Sequence, residues 1–361
     1  MRRLTIFLFF FIYCQLGIGQ ESNYPKVDVL MQDFLNKSKL PGISLSINQR
    51  GTLIYSKGFG YADMEGQIKM RPQTQVRTAS VAKVLTATAL GKLVSEGKLD
   101  LDTPIGHYIS YLKTPFSDLT SRQLAGHTAG IVHRPVSNSA KKKDYNTIRE
   151  AVKLVEQTEL LFEPDTEYKY SSLAYNLLAG VIEEVSGKSY IRYMKENIFM
   201  PLQMHQTFPE KKSERSAKDA KMYYFKKGKL SPDPKYFNGS YKLAGAGFRS
   251  TSEDLARLMN AYSDGFLREK VVQDMFRSHR LKNGQKTQVG IGWRISKDFQ
   301  NRPTIEHAGS WQGARTVIVY YPEQQLSITM MINAQCNIFI EETAQVIAQL
   351  FLEKSRSAKK V

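Results

Sequence analysis

Cysteine and acidic residues are scarce in this chain. The first shortage limits the disulfide bonds that the protein can form, and the second gives it a positive net charge. Two cysteines, Cys14 and Cys336, occur among 361 residues, which excludes a framework of several disulfide bonds. Cys336 follows an apolar, strand-like run and is expected to be a buried, inert thiol. Asp and Glu number 34 against 51 Lys and Arg, so the formal net charge is +17 at pH 7.

The excess of lysine and arginine predicts association with polyanions, including an anionic cell envelope. The lysine clusters are scattered along the chain, and no zinc-finger spacing or aromatic RNA-binding motif accompanies them. The predicted partners therefore do not include nucleic acid. Solvated surface lysines are the simpler explanation of the same clusters.

Several motifs of other enzyme classes are also missing. No Gly-x-Ser-x-Gly elbow occurs, which counts against an α/β-hydrolase. No His-Glu-x-x-His motif, cysteine–histidine cluster or phosphate-binding loop is present, so the sequence predicts neither a metal nor another cofactor. A hydrophobic content of 42% with 24% charged residues is ordinary for a folded soluble protein.

Long apolar runs are absent except at the N-terminus. Arg2 and Arg3 precede an apolar run over residues 4–13, and small residues follow. This layout predicts a cleaved signal peptide over residues 1–19, because a membrane-spanning helix needs roughly 20 apolar residues. We expect secretion across the inner membrane to the periplasm or the exterior. Bulky residues before Cys14 disfavour a lipoprotein.

The most informative pattern present is Ser80-Val81-Ala82-Lys83. Residues i and i+3 share a helix face, so the Ser80 and Lys83 side chains can meet. A desolvated, neutral amine can take the proton of a serine hydroxyl and make it nucleophilic. The spacing alone is weak, because four other pairs share it: Ser95/Lys98, Ser110/Lys113, Ser139/Lys142 and Ser357/Lys360.

The surroundings of Ser80 distinguish it from those four pairs. Apolar residues recur at helical intervals over residues 79–97, which ends at a glycine, and Ser80 lies in the first turn. Backbone N–H groups at a helix start favour developing negative charge. The alternative is that Ser80 is merely an N-cap and Lys83 a solvated lysine.

Strand patterns lie towards both chain ends and helix patterns mainly between them. We predict an α+β fold, in which an antiparallel sheet formed from both chain ends is flanked by helices and carries an inserted, mainly helical region. Predicted strands cover 42–47, 53–60, 289–295, 314–321 and 326–332, and predicted helices cover 79–97, 147–158, 170–187, 252–262 (N-cap Ser252) and 338–352. One domain is expected over residues 20–355. It comprises a sheet region (25–78 and 240–355) and a helical region (79–239), and a lysine-rich stretch (209–240) is expected to form a surface insertion. A basic tail (356–361) follows the domain.

Four ordered blocks of sequence resemble the serine β-lactamase-related family, which groups class C β-lactamases, D,D-peptidases, some esterases and a mitochondrial β-lactamase-like branch. The blocks are "RTASVAK" with its neighbours, "YKYSSLAYNLLAGVIEEVSGKSY" (168–190), "AGAGFRSTSEDLARLMNAY" (244–262) and "HAGSWQGARTVIVYYPEQQLSITMMIN" (307–333). The resemblance covers roughly residues 40–350 and implies a β-lactamase/transpeptidase-like fold. In motif detail the chain is most similar to the mitochondrial branch.

The resemblance implies a role for each matching residue. Ser80 would be the acylated nucleophile and Lys83 its proton partner. Tyr170 would be the second proton-handling group, for which a pKa depressed beside Lys83 is expected. The backbone N–H groups of Ser80 and Ser310 would form an oxyanion hole.

The third motif is His307-Ala308-Gly309, where many relatives carry Lys-Thr-Gly. His307 would offer a cation or hydrogen-bond donor along the wall of the site, and Gly309 would let a substrate lie close to the strand. Ser172, expected to bind substrate, stands where asparagine is usual and offers a single hydroxyl. Ala308 lacks a hydroxyl that could hold a substrate carboxylate. His127 lies in a family turn and is interpreted as structural.

The leading hypothesis is a secreted serine hydrolase that forms an acyl-enzyme on Ser80 with amide or ester substrates. Small peptides of the D-amino-acid type, β-lactams and simple esters are the candidates. Ser172 and Ala308 lower the expectation of efficient penicillin hydrolysis. The alternatives are a D,D-carboxypeptidase or other peptidase with little β-lactamase activity, and a non-catalytic penicillin-recognising or assembly-forming protein.

Overall fold

A computed structural model describes residues 24–135, 137–210, 219–226, 229–233 and 238–357. The predicted signal peptide and the end of the predicted basic tail lie outside these residues. Among the described residues, no helix has both the length and the apolar composition needed to cross a bilayer.

The strands of the described residues form one large antiparallel sheet and two small sheets. They are β1 (Gly42–Gln49), β2 (Thr52–Asp63), β3 (Ile68–Lys69), β4 (Val76–Arg77), β5 (Phe208–Pro209), β6 (Tyr223–Lys226), β7 (Lys229–Pro232), β8 (Phe248–Ser250), β9 (Arg294–Lys297), β10 (Pro303–Trp311), β11 (Ala314–Tyr321), β12 (Leu326–Ile332) and β13 (Ala334–Gln335). The large sheet has the order β3-β2-β1-β12-β11-β10-β9, and the small sheets have the orders β4-β8-β5 and β13-β6-β7.

The helices flank the large sheet and fill the middle of the chain. They are α1 (Pro25–Ser38), α2 (Ala82–Ser95), α3 (Ser121–Ala125), α4 (Ile148–Glu156), α5 (Ala174–Ser186), α6 (Tyr190–Tyr193), α7 (Leu243–Ala246), α8 (Ser252–Leu258), α9 (Glu269–Met275) and α10 (Ile340–Ser357), with a 3₁₀ turn (Ala79–Val81) immediately before α2. Sequence capping explains individual ends: Thr120 and Gln123 form a capping box at α3, and Gly187 closes α5 in the left-handed conformation.

Strands from the two chain ends meet at the centre of the large sheet. β1 pairs antiparallel with β12 in a register that runs from Ile43 opposite Ile332 to Gln49 opposite Leu326. The predicted α+β class and the antiparallel sheet built from both chain ends are therefore confirmed. β12 is buried along its whole length, as expected of a strand that is covered on both faces.

Two apolar cores lie on opposite sides of the large sheet. One joins α1 and α10 to the sheet through residues such as Met31, Ile47 and Ile347, and it includes the buried Cys336, whose pKa is raised by burial. The other joins the sheet to the helical region. α2 lies within this second core and is buried almost all round, which holds the 3₁₀ turn before it in a rigid setting.

Residues 25–38, in the predicted sheet region, form α1, which packs on the large sheet, and Pro25 occupies the first turn of that helix. Two local predictions differ from the structure. The predicted strand over 289–295 is wrong, because Gly292 adopts φ +77° and β9 begins at Arg294. The N-cap of α8 is Thr251, whose hydroxyl accepts from the Asp254 N–H, so Ser252 is already helical.

Two further differences concern strands. β10, which carries the third motif, was not among the predicted strands. Within the predicted surface insertion, β6 and β7 form a hairpin, and β6 pairs in parallel with β13. Met222 and Tyr223 are buried there, so this part of the insertion belongs to the fold.

Candidate active site

Most of the predicted site residues come together at one pocket of about 260 Å³ between the helical region and β10. Ser80, Tyr170, Ser172, Gly309 and Ser310 all line it. The sequence separates these residues by up to 230 positions, so the sheet topology creates the site.

The backbone before Ser80 is strained and tightly packed. Ala79 has φ +46°, in the left-handed region that non-glycine residues rarely adopt. A Cβ added to Gly309 would lie 2.6 Å from the Thr78 carbonyl oxygen and 2.9 Å from the Ser80 nitrogen. Gly309 is therefore required by the contact between β10 and the Ser80 turn, in addition to any role towards a substrate.

Lys83 lies behind the pocket and is fully buried. Its Nζ donates to the Gly245 carbonyl at 2.8 Å and to the Ser172 hydroxyl at 3.0 Å. Burial, and to a lesser degree the charge of Arg294, holds the pKa of Lys83 well below that of an exposed lysine. A neutral amine has a lone pair and can accept a proton.

Tyr170 connects Ser80 to Lys83. Its phenol lies within hydrogen-bonding reach of the hydroxyls of Ser80 and Ser172, and the Lys83 Nζ lies 4.7 Å from the centre of its ring. Burial raises the pKa of Tyr170 to about 12, although the hydrogen bond with Ser80 and the charge of Arg294 oppose the shift. The expected depressed pKa is wrong, because burial of the phenol disfavours the charged phenolate.

Two histidines hold the segment that follows Tyr170 in place. His127 and His133 accept hydrogen bonds through Nδ1 from the backbone N–H groups of Ser171 and Ser172, at 3.3 and 3.2 Å. Their rings lie 4.5 and 5.4 Å from the Tyr170 ring, centre to centre. His127 is buried, in line with the structural interpretation, whereas His133 lines the pocket and was missed.

His307 does not occupy the expected position on the pocket wall. It is 3% exposed and is absent from the residues that line the pocket. Nδ1 lies 3.0 Å from the Ala308 carbonyl oxygen, which can only accept, so Nδ1 carries the proton. Burial, with the nearby Lys83 and Arg294, lowers the pKa of His307 to about 3. The expected cation is therefore wrong, and the imidazole is neutral.

Basic side chains reach the pocket from elements that no sequence motif connects. Arg134, Lys242, Arg294 and Arg315 all line it, together with Glu341 and Trp311. Each lies outside the recognised catalytic positions, and scattered basic residues carried no signal of a shared site. Their convergence is decided by the fold.

These four basic side chains differ in their surroundings. Arg315 donates to the Ile338 carbonyl at 2.8 Å and lies 3.6 Å from the Glu341 carboxylate. Lys242 is buried against the face of the Trp311 indole, and burial, helped by Lys83 and Arg134, lowers its pKa to about 5. Within the described part of the chain, no ion pair involves Arg134 or Arg294.

Metal ligation is not suggested by the side chains of the described ranges. They contain no group of three or more His, Cys, Asp or Glu residues that could hold an ion.

The fold, with a serine and a buried lysine one helical turn apart beside a tyrosine, defines the class of serine acyl-transferase hydrolases related to penicillin-binding proteins. Within that class, residues 27–349 match the family model described as Beta-lactamase. The chain belongs to this family, which confirms the resemblance recognised in the sequence motifs.

Known proteins similar to this chain fall in the same class. The mitochondrial serine beta-lactamase-like protein LACTB of Homo sapiens is 28% identical over 308 residues, which cover 65% of this chain and 56% of that protein. The octameric penicillin-binding protein homologue from Pyrococcus abyssi is 27% identical with a TM-score of 0.76, covering 91% of this chain and 77% of that one. D-amino acid amidase from Ochrobactrum anthropi SV3 has a TM-score of 0.77 at 21% identity, covering 91% and 99%, and shows the fold alone. The chain spans little more than half the length of the curated LACTB proteins it matches.

Proposed function

We propose that this protein is a secreted serine hydrolase that forms an acyl-enzyme on Ser80 with amide or ester substrates. The observation that carries the proposal is a route for the Ser80 proton towards Lys83: the Tyr170 phenol lies within reach of the Ser80 and Ser172 hydroxyls, and Lys83 Nζ is hydrogen-bonded to Ser172 at 3.0 Å. The route joins a hydroxyl to an amine whose pKa is lowered. The proposed export rests on the N-terminal sequence pattern.

Acylation follows from the proton states of the three groups. Ser80 Oγ attacks the substrate carbonyl carbon as its proton passes to Tyr170, which gives its own proton to Ser172. The Ser172 hydroxyl, reversing its resting hydrogen bond with Lys83, donates its proton to the lone pair of the neutral amine. A C–O bond forms, and the carbonyl oxygen becomes an oxyanion that accepts from the N–H groups of Ser80 and Ser310. Collapse breaks the bond to the leaving amine or alcohol, which takes the Tyr170 proton, and Lys83 returns a proton to Tyr170.

Deacylation uses the same groups in reverse. A water molecule replaces the leaving group and gives a proton towards Lys83 as it attacks the ester carbonyl. The second tetrahedral intermediate then expels Ser80 Oγ, which recovers a proton, and the acid product leaves. Because Tyr170 keeps its proton near neutral pH, it serves as the acid and Lys83 as the base.

The pocket favours substrates that carry a negative charge. Two guanidinium groups, Arg134 and Arg294, face it without a carboxylate partner among the described residues. Ser172 and Ala308 provide less hydrogen bonding than the usual asparagine and threonine would, so β-lactams are expected to acylate the enzyme more readily than they are turned over. Small acyl-peptides, amides and esters with a carboxylate are the proposed substrates, and the basic surface is proposed to associate with an anionic envelope.

Mass spectrometry tests the nucleophile. After exposure to a fluorophosphonate or a penicillin, we expect a single adduct on Ser80 that is lost in Ser80→Ala. Ser110→Ala is a matched control, because Ser110 has the same spacing to a lysine, is exposed and lies away from the pocket. An adduct that survives Ser80→Ala, or no adduct with either reagent, would overturn the proposal.

A D,D-carboxypeptidase or related peptidase with little β-lactamase activity is the second candidate. Its basis is the expectation that β-lactams are turned over slowly, since Ala308 lines the pocket without a hydroxyl to hold a substrate carboxylate. Comparing hydrolysis of a chromogenic cephalosporin with that of D-amino-acid amides and peptides separates the two. A non-catalytic penicillin-recognising protein would be acylated without turning over any of these compounds.

A further inference from the structure

The proposed oxyanion hole joins two distant parts of the chain. One donor, the Ser80 N–H, belongs to the turn before α2, and the other, the Ser310 N–H, belongs to the end of β10. Both must point at one oxygen at about 2.7–3.1 Å for the hole to stabilise a tetrahedral intermediate. Contacts within the protein must therefore fix the position of the Ser80 turn relative to the end of β10.

Arg77 contacts both parts. It ends β4, three residues before Ser80, and its carbonyl oxygen accepts from the Thr316 hydroxyl of β11 at 3.0 Å. Its Nη1 donates to the backbone carbonyl of Gln312 at 2.5 Å. Gln312 lies in the turn between β10 and β11, two residues beyond Ser310. Both hydrogen bonds therefore join Arg77 to the β10–β11 hairpin, while its main chain continues directly into the Ser80 turn.

The guanidinium group is itself held in place. Arg77 Nε donates to both carboxylate oxygens of Glu210, at 2.9 and 2.8 Å, and both side chains are 2% exposed. The planar fork of an arginine can engage a carboxylate and a carbonyl in a fixed geometry, which a lysine ammonium cannot reproduce. Burying two charged groups costs free energy unless well-aligned hydrogen bonds replace their contacts with water.

A second buried pair provides an internal comparison. Arg249 of β8 lies directly opposite Arg77 in the sheet register. It pairs with Asp219 at 2.6 Å, and its Nη2 donates to the Gln75 carbonyl at 3.3 Å. Arg249 is also almost completely buried, yet its partners lie just before β4 and in the insertion rather than at the turn after β10.

We propose that Arg77 is a positioning residue that aligns the Ser310 N–H with the Ser80 N–H, with Glu210 orienting its guanidinium group. This inference rests on the proposed acyl-enzyme function, because the hole matters only if Ser80 is acylated. It predicts that Arg77 affects the height of the barrier to acyl transfer more than it affects binding of the substrate. Arg249 should affect folding stability alone.

The test compares Arg77→Lys with Arg249→Lys in the full chain. Hydrolysis of a p-nitrophenyl ester, normalised to the number of serines that a fluorophosphonate can label, gives kcat per competent site. We expect Arg77→Lys to lower kcat by roughly 10- to 100-fold with KM changed by less than about 3-fold. Arg249→Lys should change kcat by less than about 3-fold with a similar loss of Tm. Affinity for phenylboronic acid, which forms a tetrahedral adduct on a serine, should fall in parallel with kcat.

The outcomes of this test distinguish the positioning role of Arg77 from the proposed acyl-enzyme function of Ser80. Equal kcat for the two lysine variants, or an unchanged kcat in Arg77→Lys, overturns the positioning role while leaving the acyl-enzyme intact. A wild-type protein that is not labelled on Ser80 overturns the proposed function and the positioning role together. If Arg77→Lys does not fold, Thr316→Val removes the second tie to Arg77 and should lower kcat by roughly 3- to 10-fold. A folded Thr316→Val with wild-type kcat would contradict the proposal.

Discussion

Two buried lysines flank the same pocket, and their surroundings differ. Lys83 hydrogen-bonds with Ser172 and with the Gly245 carbonyl, and through Tyr170 it is connected to Ser80. Lys242 lies against the indole face of Trp311 and lines the pocket directly. Burial lowers the pKa of both amines, so a perturbed pKa does not by itself distinguish a base from a wall residue.

The contrast indicates that connection to the nucleophile matters more than desolvation. A general base must be within hydrogen-bond reach of the proton it takes, directly or through intervening groups. Lys83 meets this condition through the hydroxyl of Ser172 and the phenol of Tyr170. We therefore expect Lys83 to transfer protons and Lys242 to shape the pocket.

The largest effect should come from Lys83→Met. Loss of the base is expected to slow acylation of Ser80 by roughly 10²- to 10⁴-fold. Lys242→Met should slow it by less than about 10-fold. The measurement is the second-order rate of fluorophosphonate labelling at neutral pH, and equal losses in the two variants would remove the distinction between the lysines.

Tyr170→Phe breaks the route between Ser80 and Lys83 without removing either group. We expect a loss of about 10²-fold or more on an amide substrate, whose leaving group needs a proton. The loss should be smaller on a p-nitrophenyl ester, whose leaving group departs as an anion. Steady-state rates on the two substrates test this, and identical losses would show that Tyr170 does not act as the acid.

The pH dependence of the reaction should report Lys83. The amine must be neutral to accept a proton, so activity should be lost as the pH falls through the lowered pKa of Lys83. Tyr170, with a pKa of about 12, should keep its proton at neutral and moderately alkaline pH and give no alkaline limb there. The profile of kcat/KM should keep its acid limb in Lys242→Met. A shift of that limb would assign it to Lys242 instead.

The smallest expected effect is on stability in Lys242→Met. Between pH 5 and 10.5 the unfolded chain binds a proton on Lys242 that the folded protein does not, so the lysine disfavours folding in that range. Removing it should raise the free energy of unfolding at neutral pH by an amount on the order of 1–2 kcal/mol. The gain should shrink as the pH approaches 10.5, and urea unfolding at two pH values measures it. A loss of stability would mean that the amine's contacts outweigh its desolvation.

Local patterns in the sequence were sufficient to predict much of the fold. The alternation in β1 and β12, the helical spacing of α2 and the Ser80–Lys83 pair are all short-range features. The position of β10 and the entry of Arg294 into the pocket could not be predicted in this way. The third motif on β10 and the segment before Arg294, which bends at Gly292, show neither strand-like nor helical spacing of apolar residues. Their placement depends on contacts with α2 and the Ser80 turn.

Sequence by itself determined the family, the α+β class and the candidate nucleophile with its lysine, because these depend on residue types at fixed spacing. Only the tertiary structure decided the proton states. Burial makes His307 neutral and keeps the proton on Tyr170, contrary to both expectations. The charges at the pocket were likewise decided by folding, since Arg134 and Arg294 meet there from distant segments. Desolvation and long-range Coulomb interactions depend on which groups are brought together, and that information is not contained in local spacing.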